Sequence, residues 1–287
     1  KVRLSKVVEI FEVGPRDGLQ NEKTNINTAD KIKLIDALSE CGIKKIEVSS
    51  FVSSKWIPQL ADAKYVFENI TRNSSVKYTA LTPNMKGLNA AKSANVDEVA
   101  VFAAASETFS KKNINCSIEE SFERFYPLIF EALRQNIPVR GYISCITDCP
   151  YEGKIEPSAV LKVASKLLKL GCYQISLGDT IGLSNPSSLG RLYDSLLSEV
   201  SPLGLAGHFH DTNGKALENI GLSLDKGLRT FDSSVGGLGG CPYAPGSKGN
   251  VATEKVIGFV ESKGYQTEVS TDKLTKVSDF AKSLVSC

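Results

Sequence analysis

The chain has 287 residues, of which 41% are hydrophobic and 23% are charged, and its formal net charge is +2. This composition excludes a disordered or fibrous protein and gives no electrostatic reason to expect binding to nucleic acid or to an anionic membrane surface. No uninterrupted apolar segment approaches the roughly 18 to 20 residues of a membrane helix, and residues 1–20 lack the apolar run of a signal peptide.

Short β-rich runs alternate with helical patterns along the whole chain. Eight runs predict strands, and in chain order they are "VVEIFEV", "KKIEVSS", "VKYTAL", "DEVAVFAA", "VRGYISCI", "CYQISL", "GLAGHFH" and "RTFDSSV". The segments between them carry the start and stop signals of helices. We expect Thr28 to cap the first helix and Gly42 to end it, and we expect Ser117 and Glu120 to form a capping box.

Eight alternations of strand and helix predict an α/β protein, a (β/α)8 TIM barrel, rather than a doubly wound sheet. The glycine-rich nucleotide loop of a doubly wound sheet does not follow the first predicted strand. Because no linker or low-complexity segment divides the sequence, we expect one catalytic domain over residues 1–287, with an added helical segment from about residue 265. In such a barrel, functional residues collect where strands end and loops begin.

The stretch "HFHD" ends the seventh predicted strand and contains both histidines of the chain, His208 and His210. Side chains alternate along a strand, so the two imidazoles face the same side and can chelate one metal ion. Asp17 would complete the ligand set, and Asn250 would add a carbonyl oxygen. This donor set favours Mg²⁺ or Mn²⁺ over a closed structural zinc site. The alternative interpretation is a pair of polar histidines that bind nothing.

The stretch "VGPRDGLQ" places Arg16 and Asp17 side by side after the first predicted strand. Taken alone, RDG is an ordinary turn, and a surface ion pair contributes little. In a barrel, however, the first strand neighbours the second and the eighth, so we expect Asp17 within reach of Glu47 and of the last loop. Asp17 would then bind the metal, and Arg16 would stabilise a negative charge that develops on the substrate.

Two further segments contain candidate functional residues. The glycine-rich stretch "SVGGLGGCPYAPGSKGN" permits close approach to a ligand or closure of a lid, and Cys241 lies at its centre. A structural loop around a buried cysteine and a phosphate-binding loop are the alternatives. The stretch "SETFSKKNINCS" contains Lys111, Lys112 and Asn113, which fit either a phosphorylated coenzyme arm or a solvated run of charge. The seven cysteines lack paired spacing and favour a reducing compartment.

Several of these motifs together resemble the 3-hydroxy-3-methylglutaryl-CoA lyase family, and the similar region runs from about Val7 to Glu254. The segments that carry the resemblance are "EVGPRDGLQNEK", "SFVSSKWIPQ", "TPNMKGL", "KKNINCSIEESFERF", "RGYISC", "CPYEGK", "SLGDTIG", "HFHDT" and "GLGGCPYAPGSKGNVATE". Barrel lyases and Claisen-type synthases share the RDG and HxH motifs, whereas the cysteine-bearing loop points to the lyases.

The resemblance implies a role for each matching residue. The implied ligands of a divalent metal are Asp17, His208, His210 and Asn250. The implied catalytic residues are Arg16, which stabilises an enolate, Cys241, and the acidic residues Glu47 and Asp179. The residues implied to lie near the substrate or coenzyme are Gln20, Lys111, Lys112 and Asn113.

The resemblance also implies a reaction, the retro-Claisen cleavage of the CoA thioester 3-hydroxy-3-methylglutaryl-CoA to acetyl-CoA and acetoacetate. We expect the metal to act as a Lewis acid, Asp179 or a water to accept the hydroxyl proton, and Cys241 to protonate the carbanion. A synthase that condenses acetyl-CoA with a keto acid and a non-catalytic barrel are the rival interpretations. We expect a homodimer, in the cytoplasm if the source is bacterial and in the mitochondrial matrix otherwise.

Overall fold

The computed structural model describes residues 5–240 and 248–285. Within these ranges, eight parallel strands close into a barrel in which the first strand pairs with both the second and the last. We number the barrel strands β1 to β8 in chain order: Glu9–Glu12, Lys45–Ser50, Lys77–Leu81, Glu98–Ala104, Val139–Ser144, Gln174–Asp179, Leu205–Phe209 and Thr230–Ser233. Each strand overlaps one of the eight predicted runs, so the predicted TIM barrel is confirmed.

Helices occupy the connections between the strands. In the described part of the chain they are, from α1 to α10, Thr28–Ser39, Ala63–Asn69, Met85–Ser93, Glu107–Ile114, Ile118–Arg134, Pro157–Leu170, Pro186–Leu196, Ala216–Asp225, Thr253–Ser262 and Thr271–Val285. The capping box predicted at Ser117 and Glu120 is present at the start of α5. The predicted added segment is α10, which packs against α1, α9 and a short 3₁₀ turn at Val235–Gly237.

The start of α1 differs by one residue from the prediction. Asn27, not Thr28, is the N-cap, because the Asn27 backbone is extended and its side-chain oxygen accepts a hydrogen bond of 2.9 Å from the amide of Asp30. Thr28 is the first helical residue, and its hydroxyl donates to Asp62 Oδ2 at 2.6 Å instead. The prediction of Thr28 as the cap was therefore wrong, although the helix begins within one residue of the predicted start.

The protein has an apolar layer outside the barrel and a polar interior within it. Between the sheet and the helices lie fully buried residues such as Leu34, Leu128 and Leu192. Inside the barrel, by contrast, Arg140 of β5 contacts Asp232 of β8, and these two strands are not neighbours. A contact between non-adjacent strands must cross the interior, so the barrel encloses ion pairs rather than a purely apolar core.

The parallel arrangement brings the carboxyl ends of all eight strands to one rim. Glu12 ends β1 and Asp179 ends β6, while His210 follows directly after β7. Near this rim the pairing of β2 with β3 shifts register between Glu47 and Ser49, which is the signature of a β-bulge. None of the helices in residues 5–240 and 248–285 is both long and apolar enough to span a bilayer.

Candidate active site

The segment that follows β1 is a single π-helical turn over Gly14–Gly18. The carbonyl of Val13 accepts hydrogen bonds from the amides of Arg16, Asp17 and Gly18 at 3.2, 2.8 and 3.2 Å. This tight turn presents Arg16 and Asp17 at the rim, at the end of the first strand.

Two glycines let this turn press against the end of β8 and the loop that follows it. A Cβ on Gly18 would lie 2.6 Å from Ser234 Oγ and 2.9 Å from the Cβ of Leu238. A Cβ on Gly14 would lie 2.6 Å from an oxygen of Glu12, whose carboxylate accepts the Gly14 amide at 2.8 Å. Close packing therefore favours glycine at both positions.

Arg16 is almost completely buried and joins three groups at the rim. Its Nε donates to Glu47 Oε1, and its Nη1 donates to Asp17 Oδ1 at 2.7 Å. Glu47 also accepts a hydrogen bond of 3.0 Å from the hydroxyl of Tyr142, over whose ring the Arg16 guanidinium lies at 5.5 Å. Asp17 lies near Glu47, as predicted, because Arg16 bridges the two carboxylates. Tyr142 was not identified from the sequence.

Asp17, His208 and His210 converge on one point. Each offers a ligand atom, and these atoms all lie within 4.8 Å of one another. His208 Nε2 is 3.5 Å from Asp17 Oδ2, and the two imidazole rings are 5.5 Å apart at their centroids. Asn250 completes the group, because it forms a β-bridge with His210 and its amide nitrogen donates to Asp17 Oδ2 at 2.8 Å. The structure thus brings together all four residues proposed from the sequence as metal ligands.

This group fits a divalent cation. Two imidazole nitrogens and a carboxylate are a facial donor set for such an ion, and the Asn250 side chain adds an oxygen donor if its amide is turned. His210 Nδ1 is buried and has no hydrogen-bond partner in the described part of the chain, which is costly unless something else binds there. A set of imidazole, carboxylate and amide donors without thiolates also differs from the cysteine-rich set of a closed structural zinc site.

The electrostatics of the group are asymmetric. Burial and the neighbouring His208 lower the pKa of His210 to about 4. Burial also opposes the charged form of His208, but its contacts with Asp17 and Asp232 outweigh that effect and raise its pKa to about 9. The pKa of Asp17 falls well below its usual value, because the attraction of Arg16 and the histidines exceeds the desolvation penalty. A metal ion that binds here would therefore have to displace the proton of His208.

Asp232 on β8 is a further residue of the site that sequence reasoning missed. It lies opposite His208 in the register of β7 and β8, and His208 Nδ1 donates to its Oδ2 at 3.0 Å. Arg140 donates to both of its oxygens, at 2.7 and 3.1 Å. The sequence does show an acidic residue within an apolar predicted strand. That His208 is its partner, however, follows only from the register of β7 and β8.

Asp179 lies at the end of β6, beside β7, and is 2% exposed. Its Oδ1 accepts the amide of Ser184 at 3.2 Å, whereas its Oδ2 is buried without a partner in the described residues. Burial raises the pKa of Asp179 to about 6, and the nearby carboxylate of Asp148 contributes to the rise. A carboxyl group with a pKa near neutrality is suited to accept a proton during catalysis.

The proposed substrate contacts lie on two separate segments. Gln20 follows the π-helical turn, has a buried Oε1 without a partner in the described residues, and lines a cleft of about 540 Å³ together with the exposed Trp56. Lys111, Lys112 and Asn113 are exposed on the last turn of α4, which was not among the helices predicted from the sequence. Their binding role stays a prediction.

Cys241 lies outside the described residues, but both flanks of its loop reach the site. On one side, the amide of Gly239 donates to Glu22 Oε1 at 2.7 Å, and a Cβ on Gly239 would lie 3.3 Å from the carbonyl oxygen of Asp17. On the other side, Asn250 bridges to His210, and the amide of Asp211 donates to the carbonyl of Gly249 at 2.7 Å. Both ends of the cysteine-bearing loop are therefore anchored next to the candidate metal ligands.

The fold and these residues define a (β/α)8 barrel with a candidate divalent-metal site at the carboxyl rim of its strands. The chain belongs to the HMGL-like family, whose model matches residues 7–281. The human mitochondrial hydroxymethylglutaryl-CoA lyase is 52% identical over 277 residues, which cover 96% of this chain and 85% of the human protein. The Pseudomonas aeruginosa 3-hydroxy-3-isohexenylglutaryl-CoA/hydroxymethylglutaryl-CoA lyase is 53% identical over 95% of this chain and 91% of its own.

Solved structures agree with this assignment. The HMG-CoA lyase from Brucella melitensis superimposes with a TM-score of 0.96 at 52% identity, covering 97% of this chain and 99% of that one. An HMG-CoA lyase from Acinetobacter baumannii, solved in complex with coenzyme A and 3-methylmalate, gives a TM-score of 0.93 at 39% identity and covers 99% of this chain and 93% of that one. The family resemblance inferred from the motifs is confirmed.

Proposed function

We propose that this protein cleaves 3-hydroxy-3-methylglutaryl-CoA into acetyl-CoA and acetoacetate with the help of Mg²⁺ or Mn²⁺. The observation that carries the proposal is the convergence of Asp17, His208 and His210 beside the buried Arg16, in a chain about half of whose residues are identical to those of full-length lyases of this substrate. The relative solved with coenzyme A supports a CoA thioester as the substrate class.

The metal-binding residues would be Asp17, His208, His210 and Asn250. A bound divalent ion supplies Lewis acidity, which makes a nearby hydroxyl group easier to deprotonate. His208 and His210 supply neutral nitrogen donors, and Asp17 supplies a negative charge that its low pKa maintains at neutral pH.

Asp179 is the residue that we assign to accept the proton from the C3 hydroxyl. Its Oδ2 is buried without a partner among the described residues, and its pKa of about 6 leaves it ionised at neutral pH yet basic enough to take a proton. Once the hydroxyl is deprotonated, its electron pair forms the ketone of acetoacetate. The C2–C3 bond breaks, and its electron pair moves to C2 to give the enolate of acetyl-CoA.

Arg16 stabilises this enolate. Its pairs with Glu47 and Asp17 use Nε and Nη1, and among the described hydrogen bonds Nη2 is left to face a substrate oxygen. Attraction by Glu47 and Asp17 raises the pKa of Arg16 despite its burial, so it remains charged. Because Glu47 is held in turn by Tyr142, the guanidinium is fixed before charge develops, which is the condition for effective electrostatic stabilisation.

Cys241 donates the proton that C2 requires to become the methyl group of acetyl-CoA. Its loop is anchored at both flanks beside the metal ligands, as the contacts of Gly239 and Asn250 indicate. A thiol near a cationic site is a suitable acid and base for this step.

The direct test is incubation of the purified protein with Mg²⁺, a thiol reductant and 3-hydroxy-3-methylglutaryl-CoA. We expect acetoacetate and acetyl-CoA in equal amounts, and we expect chelation of the metal to abolish both. An Asp17→Asn variant serves as the control for contaminating lyase. Condensation of acetyl-CoA with a keto acid, without cleavage of the substrate, would replace the proposal with the synthase interpretation. A parallel assay with the isohexenyl substrate named for the Pseudomonas aeruginosa relative measures tolerance for the acyl chain.

A further inference from the structure

The two nitrogens of His208 have different partners. Nδ1 donates to Asp232 Oδ2 at 3.0 Å, inside the barrel, while Nε2 faces Asp17 Oδ2 at 3.5 Å on the side of the candidate metal site. A carboxylate can only accept hydrogen bonds, so an imidazole that bonds to it through Nδ1 must carry a proton there. The contact with Asp232 therefore leaves the lone pair of a neutral His208 on Nε2.

His210 provides a contrast within the same site. Its Nδ1 has no hydrogen-bond partner in the part of the chain that the structure describes, so no carboxylate contacts that nitrogen there. The β-bridge of His210 with Asn250 holds its backbone instead. Of the two imidazoles, His208 is thus the one whose ring is fixed by a buried carboxylate.

Asp232 is itself held firmly. The Arg140 guanidinium donates to Oδ1 at 2.7 Å and to Oδ2 at 3.1 Å, and the hydroxyl of Ser176 donates to Oδ2 at 2.6 Å. The Arg140 and Asp232 side chains have no solvent exposure. Two parallel bonds from a guanidinium fix the plane of a carboxylate, which a single hydrogen bond does not.

Arg140 is fixed by its own neighbours. Its Nε donates to Gln174 Oε1 at 3.0 Å, and its guanidinium lies 4.0 Å from the centre of the Phe11 ring. These residues come from β6 and β1, and Arg140 comes from β5. Contacts from three strands of the barrel thus determine where the carboxylate of Asp232 meets His208.

We propose that Asp232 is a positioning residue for metal binding, which holds His208 with its proton on Nδ1 and its Nε2 lone pair facing Asp17 and His210, and that Arg140 fixes Asp232 in this role. The inference rests on the proposed metal site and extends it to residues that do not contact the metal. Carboxylates that accept the second proton of a ligating histidine orient its ring and increase its basicity, and their removal lowers metal affinity by about 10- to 100-fold.

The first experiment compares two buried carboxylates of the same barrel. Asp232→Asn keeps the shape of the side chain but removes its charge, and we expect the dissociation constant for Mn²⁺, measured on the full chain by electron paramagnetic resonance, to rise at least about tenfold. The matched control is Glu98→Gln, since Glu98 is equally buried but contacts Lys45 and Tyr173 instead of a histidine. This control is expected to bind Mn²⁺ within twofold of the unaltered protein. Wild-type affinity in Asp232→Asn would overturn the proposal.

The second experiment needs no variant. The chain has only two histidines, so a long-range ¹H–¹⁵N spectrum of the Mg²⁺-saturated protein contains two imidazole spin systems. We expect His208 to carry its proton on Nδ1 and none on Nε2. A proton on Nε2 of His208 in that state would refute the positioning role, whether or not Asp232→Asn folds.

These outcomes separate the inference from the proposed function. If Asp17→Asn binds Mn²⁺ as well as the unaltered protein does, then the metal site itself is wrong. If Asp17→Asn loses Mn²⁺ but Asp232→Asn retains it, the metal site stands and only the role of Asp232 fails.

Discussion

Two groups of buried polar side chains lie at opposite ends of the barrel, and they differ in how completely they are satisfied. At the end where the strands start, Glu98 accepts hydrogen bonds from Lys45 and from the hydroxyl of Tyr173, one on each oxygen. At the end where the strands finish, His210 Nδ1 and Asp179 Oδ2 are buried without partners among the described residues. A closed network stabilises the fold, whereas buried atoms without partners indicate where a ligand belongs.

The comparison predicts that removal of a charge lowers catalytic activity at the end where the strands finish and lowers stability at the end where they start. At the strand-finish end, Arg16→Gln keeps a hydrogen-bonding group beside Glu47 but removes the cation that stabilises the enolate. We expect kcat for acetoacetate formation to fall about 10³-fold, because a fixed donor to a developing oxyanion contributes that much. Binding of Mn²⁺, measured in parallel, should change little. A kcat within tenfold of the unaltered protein would contradict the role of Arg16.

The next largest effect is expected at Cys241. Replacing its thiol with the hydroxyl of serine removes a proton donor of suitable acidity, and we expect kcat to fall at least about 10²-fold. The matched control is Cys172→Ser, because Cys172 is buried and packs in the apolar layer. Equal loss of activity in both variants would mean that the effect is structural and not catalytic.

At the strand-start end, the expected effect is on stability. Glu98→Gln removes the charge that Lys45 and Tyr173 contact, and we expect the free energy of unfolding to fall by about 2 kcal/mol, measured by urea denaturation. Because this group lies away from the rim, kcat should stay within twofold. A large loss of kcat with unchanged stability would contradict the purely structural role proposed for the Glu98 group.

The smallest expected effect is a shift in pH dependence. Asp179 must be ionised to accept a proton, so kcat/KM should rise as the pH increases through about 6, the raised pKa of this residue. The negative charge of Asp148 helps to raise that pKa, so Asp148→Asn should lower it and move the rising limb to lower pH. The control is Asp97→Asn. Asp97 lies just before β4, and its carboxylate pairs with Arg72. A limb that does not move in Asp148→Asn would argue against Asp179 as the base.

Much of the fold could be predicted from the sequence because its signals are local. Each short apolar run bounded by turn residues forms a strand, because its length and its β-branched residues favour a buried strand over a helix. The capping box at Ser117 was also correct, because its two hydrogen bonds involve residues three apart. The cap at Thr28 was wrong because Asn27 competes for the same amides, and α4 was missed because its charged composition is typical of a loop.

The site could be predicted only where residue type and strand position both stood out. Two histidines with one residue between them at a strand end indicate a metal site, and RDG after the first strand indicates its neighbour. Asp232 and Tyr142 could not be found in this way, because the contact of Asp232 with His208 depends on the register of two adjacent strands and that of Tyr142 with Glu47 crosses the barrel. The homodimer, the single domain and the binding roles of Lys111, Lys112 and Asn113 stay predictions.

The closure of the barrel by β1 and β8 has a consequence for how the protein acquires its activity. Glu9 of β1 pairs with Thr230 of β8, and Asp17 meets Asn250 only across that seam. During synthesis on the ribosome, the aspartate emerges more than 190 residues before the first histidine. A nascent chain that ends before Asn250 therefore lacks one of the four proposed metal ligands, and Asp17 can meet Asn250 only after β8 has docked against β1.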